Sequence, residues 1–232
     1  MKKLWCVTIF ILIAGIGTGF AFRNNMSDCG ISGIRKIEDI QALNCNVNQI
    51  FEEEDVELFI EDGRKQFDNL PETVEIYVAV PTGIIRQINF TFFQEVKIAK
   101  IIKGELEEEE TIEIVTQGGF YDQKYKYHDY SNNRPLYFGM KNILLPESKY
   151  LIFVQPLKVN EYTERKRYNL ASLLFGTFNL SSDYSQPIDQ PANEIPYNEY
   201  VGSEYLCDTN NTLERLLEFK HNIVERYLPE TD

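Results

Sequence analysis

The sequence predicts a mainly β protein with some α-helix. We expect a small antiparallel β-barrel of five to six strands, a C-terminal α-helix, and an N-terminal helix for export or anchoring. Three observations support this. Apolar residues alternate in short runs between positions 73 and 180, an amphipathic pattern lies near the C-terminus, and the first 22 residues contain no acidic residue. A period of two is typical of strands, and spacings of three and four are typical of helices.

Composition and charge exclude several classes of protein. The 232 residues carry 23 Lys and Arg against 36 Asp and Glu, a net charge of -13, and 43% of them are hydrophobic. This is a globular composition, which argues against a disordered chain. An acidic protein repels a phosphate backbone, so we expect no nucleic-acid partner. The chain lacks CxxC, HExxH, P-loop and GxGxxG motifs, and we therefore expect no metal site and no cofactor.

Residues 1–22 are typical of an export signal. Lys2 and Lys3 precede an uncharged run from Leu4 to Phe22, and Gly19 and Ala21 are the small residues of a cleavage site after Ala21. The alternative is an uncleaved anchor, because residues 4–22 are long enough to cross a membrane with the two lysines inside. Both readings place the chain outside the cytoplasm, either secreted or held in the cell envelope.

An N-terminal arm is predicted over residues 23–71. Ile34, Ile37 and Ile40 are spaced by three, which indicates a short helix with one apolar edge. The acidic stretch from Phe51 to Phe67 contains six large apolar residues, and we expect it to form an arm or short helix that docks on the main domain.

The β-barrel is predicted over residues 72–182. Thr73 to Val80 alternates as a half-buried strand that ends at the turn residues Pro81 to Gly83. Asn89 to Lys103 predicts a long strand with a bulge near Ala99. Further strands are expected over residues 112–116, 149–155 (a central strand) and, as two short strands, 167–180. We expect the core to include Val74, Ile76, Val78, Val96, Ile98, Ile112, Ile114, Leu151 and Phe153.

Residues 183–232 form the last predicted part. A polar stretch with three prolines should cross the surface, followed by an amphipathic helix from about Leu213 to Leu228. Asn211 and Glu214 have the spacing of a capping box at its start. Five or six short strands with one closing helix favour an OB-like barrel, the commonest closed barrel of this size.

The strand sequences also resemble a known group of proteins. Val96 to Gly104, Thr111 to Val115, Gly118-Gly119 and Lys149 to Val154 resemble the pattern V…VLKG…G(D/E)xIxV…GG…G(E/D)xYLLFL. This pattern marks a loose group of exported, uncharacterised bacterial domains that are similar to the OB-like barrels of the netrin and metalloproteinase-inhibitor class. The chain departs from it at Glu109, where the group usually has glycine. The resemblance covers residues 72–180 and implies the fold, but no protease inhibition, because the inhibitors' N-terminal Cys-x-Cys is absent.

The long segment from Phe120 to Ser148 is the candidate binding site. Tyrosine offers apolar area with a polar tip at a small entropic cost, which favours contact surfaces. A sugar or a peptide partner would suit such rings; the alternative is that the rings pack back on the barrel. The candidate ligand-binding residues are Tyr121, Tyr125, Tyr127, His128, Tyr130, Arg134 and Tyr137.

Three cysteines follow the signal, so one intramolecular disulfide at most can form. We expect Cys29 to pair with Cys45, because the polar N-terminal segment has little core of its own, and Cys207 to be free or buried. The alternatives are three unpaired thiols, or a disulfide between Cys207 and one of the other two.

The sequence favours an extracytoplasmic, non-catalytic binding or interaction module. Its partner would be an unknown protein or a cell-envelope ligand, and membrane anchoring through residues 4–22 is part of this hypothesis. The alternative is a secreted hydrolase whose active-site residues are dispersed along the chain. We favour the module because no catalytic constellation is recognisable in the sequence.

Overall fold

The structure is a computed structural model, which describes residues 33–42, 45–47, 49–88, 91–116, 120–122, 135–137, 140–157, 166–172, 174–189 and 195–229. The predicted export helix and Cys29 lie outside these ranges. The elements, in chain order, are α1 (Ile37–Gln41), β1 (Asn46–Val47), α2 (Val56–Asp68), β2 (Glu75–Ile88), β3 (Thr91–Lys103), β4 (Thr111–Thr116), β5 (Phe120–Asp122), β6 (Pro135–Tyr137), β7 (Tyr150–Pro156), β8 (Arg167–Leu170), β9 (Thr177–Asn179), β10 (Ile195–Pro196), a 3-10 helix (Tyr197–Glu199) and α3 (Asn210–Tyr227).

Five strands close into a barrel, which confirms the predicted OB-like fold. Their order is β2-β3-β4-β8-β7, and β7 pairs again with β2 to complete the circle. The short strand β9 adds to β7 as a sixth member. Four of the five pairings are antiparallel, whereas β4 and β8 run parallel. The barrel is therefore mixed, and not antiparallel throughout as the sequence predicts, because β8 runs parallel to β4.

The pairing of β2 with β3 contains the predicted bulge but contradicts a predicted turn. Val78 is opposite Lys100 and Ala79 is opposite Ile98, so Ala99 is the extra residue, as predicted. The turn predicted at Pro81 to Gly83 is wrong, because β2 continues through these residues to Ile88. Two further register shifts lie between Ile76 and Tyr77 and between Pro81 and Ile85. Proline and glycine here mark a bulge inside a long strand, not its end.

Strand β2 is buried on both faces between residues 76 and 79, which differs from the predicted half-buried strand over residues 73–80. Tyr77 and Ala79 are fully buried, as are Val74 and Ile76 on the opposite face. One apolar cluster draws residues from all five strands and fills the barrel interior. Its members are Tyr77, Ala79, Val96, Ile98, Leu106, Ile112, Ile114, Leu144, Tyr150, Ile152, Val154, Tyr168 and Leu170.

The two long helices cover the outside of β2, β7 and β9. Val56, Ile60, Gly63 and Phe67 form the buried face of α2 at spacings of three and four, which confirms that the arm docks on the barrel. With α3 they enclose an outer cluster that also holds Val74, Ile76, Leu151 and Phe153. A Cβ atom at Gly63 would lie 2.8 Å from the ring of Phe175 and 2.9 Å from that of Phe219, so glycine permits this close approach.

A small second sheet lies beside the barrel, in the order β10-β1-β6-β5. It packs on a third cluster that includes the predicted edge Ile34, Ile37 and Ile40. Ile188, Ile195 and Tyr197 belong to the same cluster, so the stretch expected to cross the surface also contributes buried side chains, although most of residues 181–189 are exposed. These three buried residues follow no regular spacing in the sequence, so a periodic pattern does not predict their burial.

The N-cap of helix α3 lies two residues before the predicted cap, Asn211. Thr209 is the N-cap, and its Oγ1 accepts a hydrogen bond of 3.1 Å from the backbone N of Thr212. Asn211 lies within the first turn and donates its side-chain amide to Glu53 instead. Among the described residues, no helix has both the length and the apolar character needed to cross a membrane.

Candidate functional site

Only two of the seven predicted ligand-binding residues lie within the described part of the chain. Tyr121 lies on β5 and Tyr137 on β6, and the two strands pair so that Tyr121 is opposite Leu136. The other candidates, Tyr125, Tyr127, His128, Tyr130 and Arg134, lie outside the described residues. The structure therefore brings together the two strands that carry this segment, and the ligand-binding role of these seven residues stays a prediction.

The strands that carry the tyrosine segment belong to a well-supported sheet. β6 pairs in parallel with β1, and β1 pairs with β10 on its other edge. Behind them, Asn142 Nδ2 lies within 3.0 Å of the carbonyl oxygens of Tyr200, Val201 and Ser203. Asn142 Oδ1 accepts hydrogen bonds from Tyr197 Oη (2.7 Å) and Ile143 N (2.8 Å). Segment 123–134 thus starts and ends on a hydrogen-bonded scaffold.

A cluster of buried charges lies between α3 and the barrel. Its centre is Glu204, whose Oε1 is 3.2 Å from Lys141 Nζ and whose Oε2 is 2.7 Å from Lys220 Nζ. Only 2–4% of each of these three side chains is exposed. Asn179 N donates to Glu204 Oε1, Lys141 donates to the carbonyl of Thr177, and Lys220 donates to the carbonyl of Ser182. We call Lys141, Glu204 and Lys220 the lysine–glutamate cluster.

The surface end of this cluster is a second ion pair. Lys220 Nζ is 2.7 Å from Asp183 Oδ1, and His221 Nε2 is 2.9 Å from Asp183 Oδ2. Partial burial would raise the pKa of Asp183, but the hydrogen bonds from Lys220 and His221 outweigh it and lower that pKa. The side chain of His221 is 59% exposed, so this end of the ion-pair network faces solvent.

Burial shifts the pKa values of the tyrosine and lysine side chains around Glu204 in opposite directions. It lowers the pKa of Lys141 to about 8, although the nearby Glu204 carboxylate opposes this change. Burial also raises the pKa of Tyr205 well above 10, and Lys141 Nζ lies 5.0 Å from the centre of that ring. The cluster is closed to a substrate, because its charged atoms contact one another and backbone carbonyls. We therefore interpret it as a structural link between α3, β9 and residues 140–144.

None of these three residues was predicted from the sequence, although the position of Lys220 is a signal. Lys220 falls on the apolar face of α3, four residues after Leu216 and three before Ile223. A charged residue at such a position must find a buried partner of opposite charge. Glu204 and Lys141 carry no comparable signal, because neither lies within a periodic element.

A surface groove lies between α2 and the segment that joins β8 to β9. Its volume is about 560 Å³, and Gln49, Phe59, Asp62, Gly63, Gln66, Met140, Ala171, Ser172, Leu174 and Phe175 line it. Aromatic and aliphatic side chains form its floor, while the exposed side chains of Gln49, Asp62 and Gln66 form its rim. The groove can hold apolar side chains, with amide and carboxylate groups at its edge.

The two described cysteines, Cys45 and Cys207, do not line the groove. Within the described residues, Cys45 and Cys207 form no disulfide with each other; both are buried in different apolar clusters, and burial raises the pKa of each thiol to about 12. Cys207 is therefore buried, in line with one part of the prediction. The expected Cys29–Cys45 disulfide involves a residue outside the described chain and stays a prediction.

Comparison of the sequence with models of known protein families and with curated proteins finds no match.

Proposed function

We propose that the protein is exported and acts outside the cytoplasm as a non-catalytic binding module, with the tyrosine-rich segment 123–134 as its contact surface. The observation that carries this proposal is that both ends of the segment are attached to paired strands. The segment joins the paired ends of β5 and β6 at Asp122 and Pro135, on a sheet with its own apolar core. Binding residues commonly lie on loops that a rigid scaffold positions.

The composition of the segment supports a contact role. Between Asp122 and Pro135 the chain carries three tyrosines, His128 and Arg134. Tyrosine and arginine are enriched at protein interfaces, because they offer large contact areas and directional hydrogen bonds. The proposed partner is a protein or another ligand of the cell envelope.

Two further parts of the proposal come from the sequence. Residues 1–22 support export, either with cleavage after Ala21 or with retention as an anchor. We also propose that the barrel is related to the exported OB-like domains that its strand sequences resemble. Glu109 supports this relation, because its φ of 70° is the left-handed conformation that glycine, the usual residue there, adopts without strain.

The contact role can be tested with matched tyrosine variants. Serine would replace Tyr125, Tyr127 and Tyr130 together, and the control would be Tyr184→Ser, because 58% of Tyr184 is exposed on another part of the surface. The tagged full chain would be cross-linked in intact cells and its envelope partners recovered. We expect the wild type and the Tyr184→Ser protein to retain a partner that the triple variant loses.

Two results would contradict the contact role. Equal recovery of partners by the triple variant and the control would remove the tyrosine segment from the interface. Turnover of an envelope substrate without any stable partner would instead favour the secreted hydrolase.

Export can be tested separately with alkaline phosphatase fused to the C-terminus. We expect an active fusion, because this enzyme requires the oxidising conditions outside the cytoplasm. The mass of the N-terminal peptide then distinguishes cleavage after Ala21 from a retained anchor. An inactive but full-length fusion would contradict export.

A further inference from the structure

We propose that the groove between α2 and the β8–β9 connection binds an amphipathic segment of a partner protein, with apolar side chains in the groove and a lysine or arginine against Asp62. This interaction surface is distinct from the tyrosine segment, and its proposed partner is defined by apolar character and positive charge.

The groove has the size and chemistry of a peptide-binding site. Its volume of about 560 Å³ lies within the range of about 300–1,000 Å³ that is typical of ligand pockets. Phe59, Met140, Leu174 and Phe175 provide an apolar floor, and only Phe175 of these four is fully buried. Side chains inserted here would cover apolar surface that water now contacts, which favours association.

Helix α2 extends the apolar surface beyond the groove. Leu58 precedes the lining residue Phe59 and lies one helical turn before Asp62, and 62% of Leu58 is exposed. It is the most exposed of the large hydrophobic residues in the described chain. An exposed leucine at the edge of an apolar groove indicates a contact surface more strongly than an isolated surface leucine does.

Charge complementarity specifies the partner. Among the described residues that line the groove, Asp62 alone is charged. Residues 51–68 carry eight acidic residues against Arg64 and Lys65, and Arg215 and Arg226 of α3 pair with Glu57 and Asp68, so the local balance is -4. Lys65 is 3.8 Å from Asp62 but 3.0 Å from Glu61, so it neutralises only part of this charge. A cationic partner is therefore attracted to this rim, and an anionic one is repelled.

The polar rim also suits a peptide. The side chains of Gln49 and Gln66 are exposed at the groove and carry both amide donors and acceptors. Such groups can satisfy the backbone N–H and C=O groups of a bound segment. A helix or an extended chain that places apolar residues in the groove can use this mode of recognition.

The experiment measures binding of two labelled peptides to the full chain by fluorescence anisotropy. One is a peptide of about twelve residues in which leucine pairs alternate with lysine pairs, and the other has glutamate in place of each lysine. We expect the lysine peptide to bind and the glutamate peptide to bind at least about tenfold more weakly, since like charges at an interface are unfavourable.

Matched variants test whether the groove is the site. Asp62→Lys should weaken binding of the lysine peptide about tenfold, whereas Glu218→Lys, an equal charge change at an exposed position of α3, should change it less than about twofold. Leu58→Ser should weaken it about fivefold, and Ile101→Ser, at another exposed apolar residue, should have little effect. Thermal denaturation checks that each variant is folded, and Asp62→Asn replaces Asp62→Lys if that variant is not.

Three results would overturn this proposal. Equal weakening by Asp62→Lys and Glu218→Lys would show attraction to the overall charge only. Equal binding of both peptides would exclude the charge requirement. Binding that appears only after deletion of residues 1–32 would show that the chain itself covers the groove. The serine variant of Tyr125, Tyr127 and Tyr130 should bind the lysine peptide normally, so this test is separate from that of the tyrosine segment.

Discussion

Glu204 holds two lysine ammonium groups in the protein interior, and its replacement should be costly. Glu204→Gln would leave Lys141 and Lys220 buried without a carboxylate between them, so we expect a loss of about 3–5 kcal/mol in the free energy of unfolding. Lys141→Met should cost much less, because it removes one buried charge and leaves the pair of Glu204 with Lys220 intact. Urea denaturation of the two variants measures this difference, and equal losses would contradict it.

The pKa of Lys141 predicts how stability depends on pH. Burial lowers this pKa from 10.5 to about 8, so the folded state disfavours the charged lysine. The resulting loss of stability is fully present below about pH 8 and disappears as the pH rises toward 10.5. We expect the stability of the wild type to rise relative to Lys141→Met by about 1–3 kcal/mol between about pH 8 and 10.

Comparison with the variant isolates this effect. Burial raises the pKa values of Cys45 and Cys207, which lowers stability as the pH rises above about 9, but both proteins share these thiols. The measurement is urea denaturation of both proteins at several pH values. A difference between them that stays constant with pH would show that Lys141 is already neutral, or not shifted.

Two buried tyrosine hydroxyl groups should respond oppositely to substitution by phenylalanine. Tyr205 Oη is buried and has no hydrogen-bond partner within the described part of the chain, whereas Tyr197 Oη donates to Asn142 Oδ1 at 2.7 Å. We expect Tyr205→Phe to be neutral or to stabilise the fold by about 1 kcal/mol, because it removes an unsatisfied polar group. Tyr197→Phe should destabilise it by about 1 kcal/mol. Thermal unfolding compares the two, and a destabilised Tyr205→Phe protein would imply a bound water or another partner.

At the scale of elements, the start of α3 distinguishes the observed cap from the predicted one. Thr209 Oγ1 accepts from the backbone of Thr212, so Thr209→Ala should cost about 1 kcal/mol. Asn211→Ala should cost less than about 0.5 kcal/mol, because its contact with Glu53 is exposed. Chemical denaturation measures both, and a larger loss at Asn211 would favour the predicted capping box.

The elements show where local sequence suffices. Helix α3, the bulge at Ala99 and strands β4, β7, β8 and β9 are all predicted from local sequence, because each is set by neighbouring residues. The continuation of β2 through Pro81 and Gly83 does not follow, because its partner, β3, holds these turn residues in a strand. β1 and β10 are two residues each, too short for any period to be recognised.

At the scale of the whole molecule, the barrel wall has an apolar core on each side. Ile152 points into the barrel and Phe153 points toward the helices, and both are fully buried. We expect Ile152→Ala and Phe153→Ala each to cost about 2–5 kcal/mol, because each leaves a cavity in a different core. Denaturant unfolding measures both losses. A wild-type stability for either variant would mean that its face of β7 is less tightly packed than the structure indicates.

All nine residues of the predicted core are buried, but they belong to different sides of the wall. Val96, Ile98, Ile112 and Ile114 fill the barrel, whereas Val74, Ile76, Leu151 and Phe153 lie under α2 and α3. Alternation along one strand shows which residues share a face, but it does not show which face is inside a barrel.

The sequence by itself determined the fold class, because alternating apolar residues and one amphipathic helix favour strands and a helix through local backbone and burial preferences. Only the tertiary structure decided which strand face lines the barrel and where α2 docks. It alone brings together Lys141, Glu204 and Lys220, and it places Met140 beside Phe59 in the groove. These contacts join residues from 16 to more than 80 positions apart. No local pattern encodes them, since they depend on how the barrel closes and on what each helix then covers.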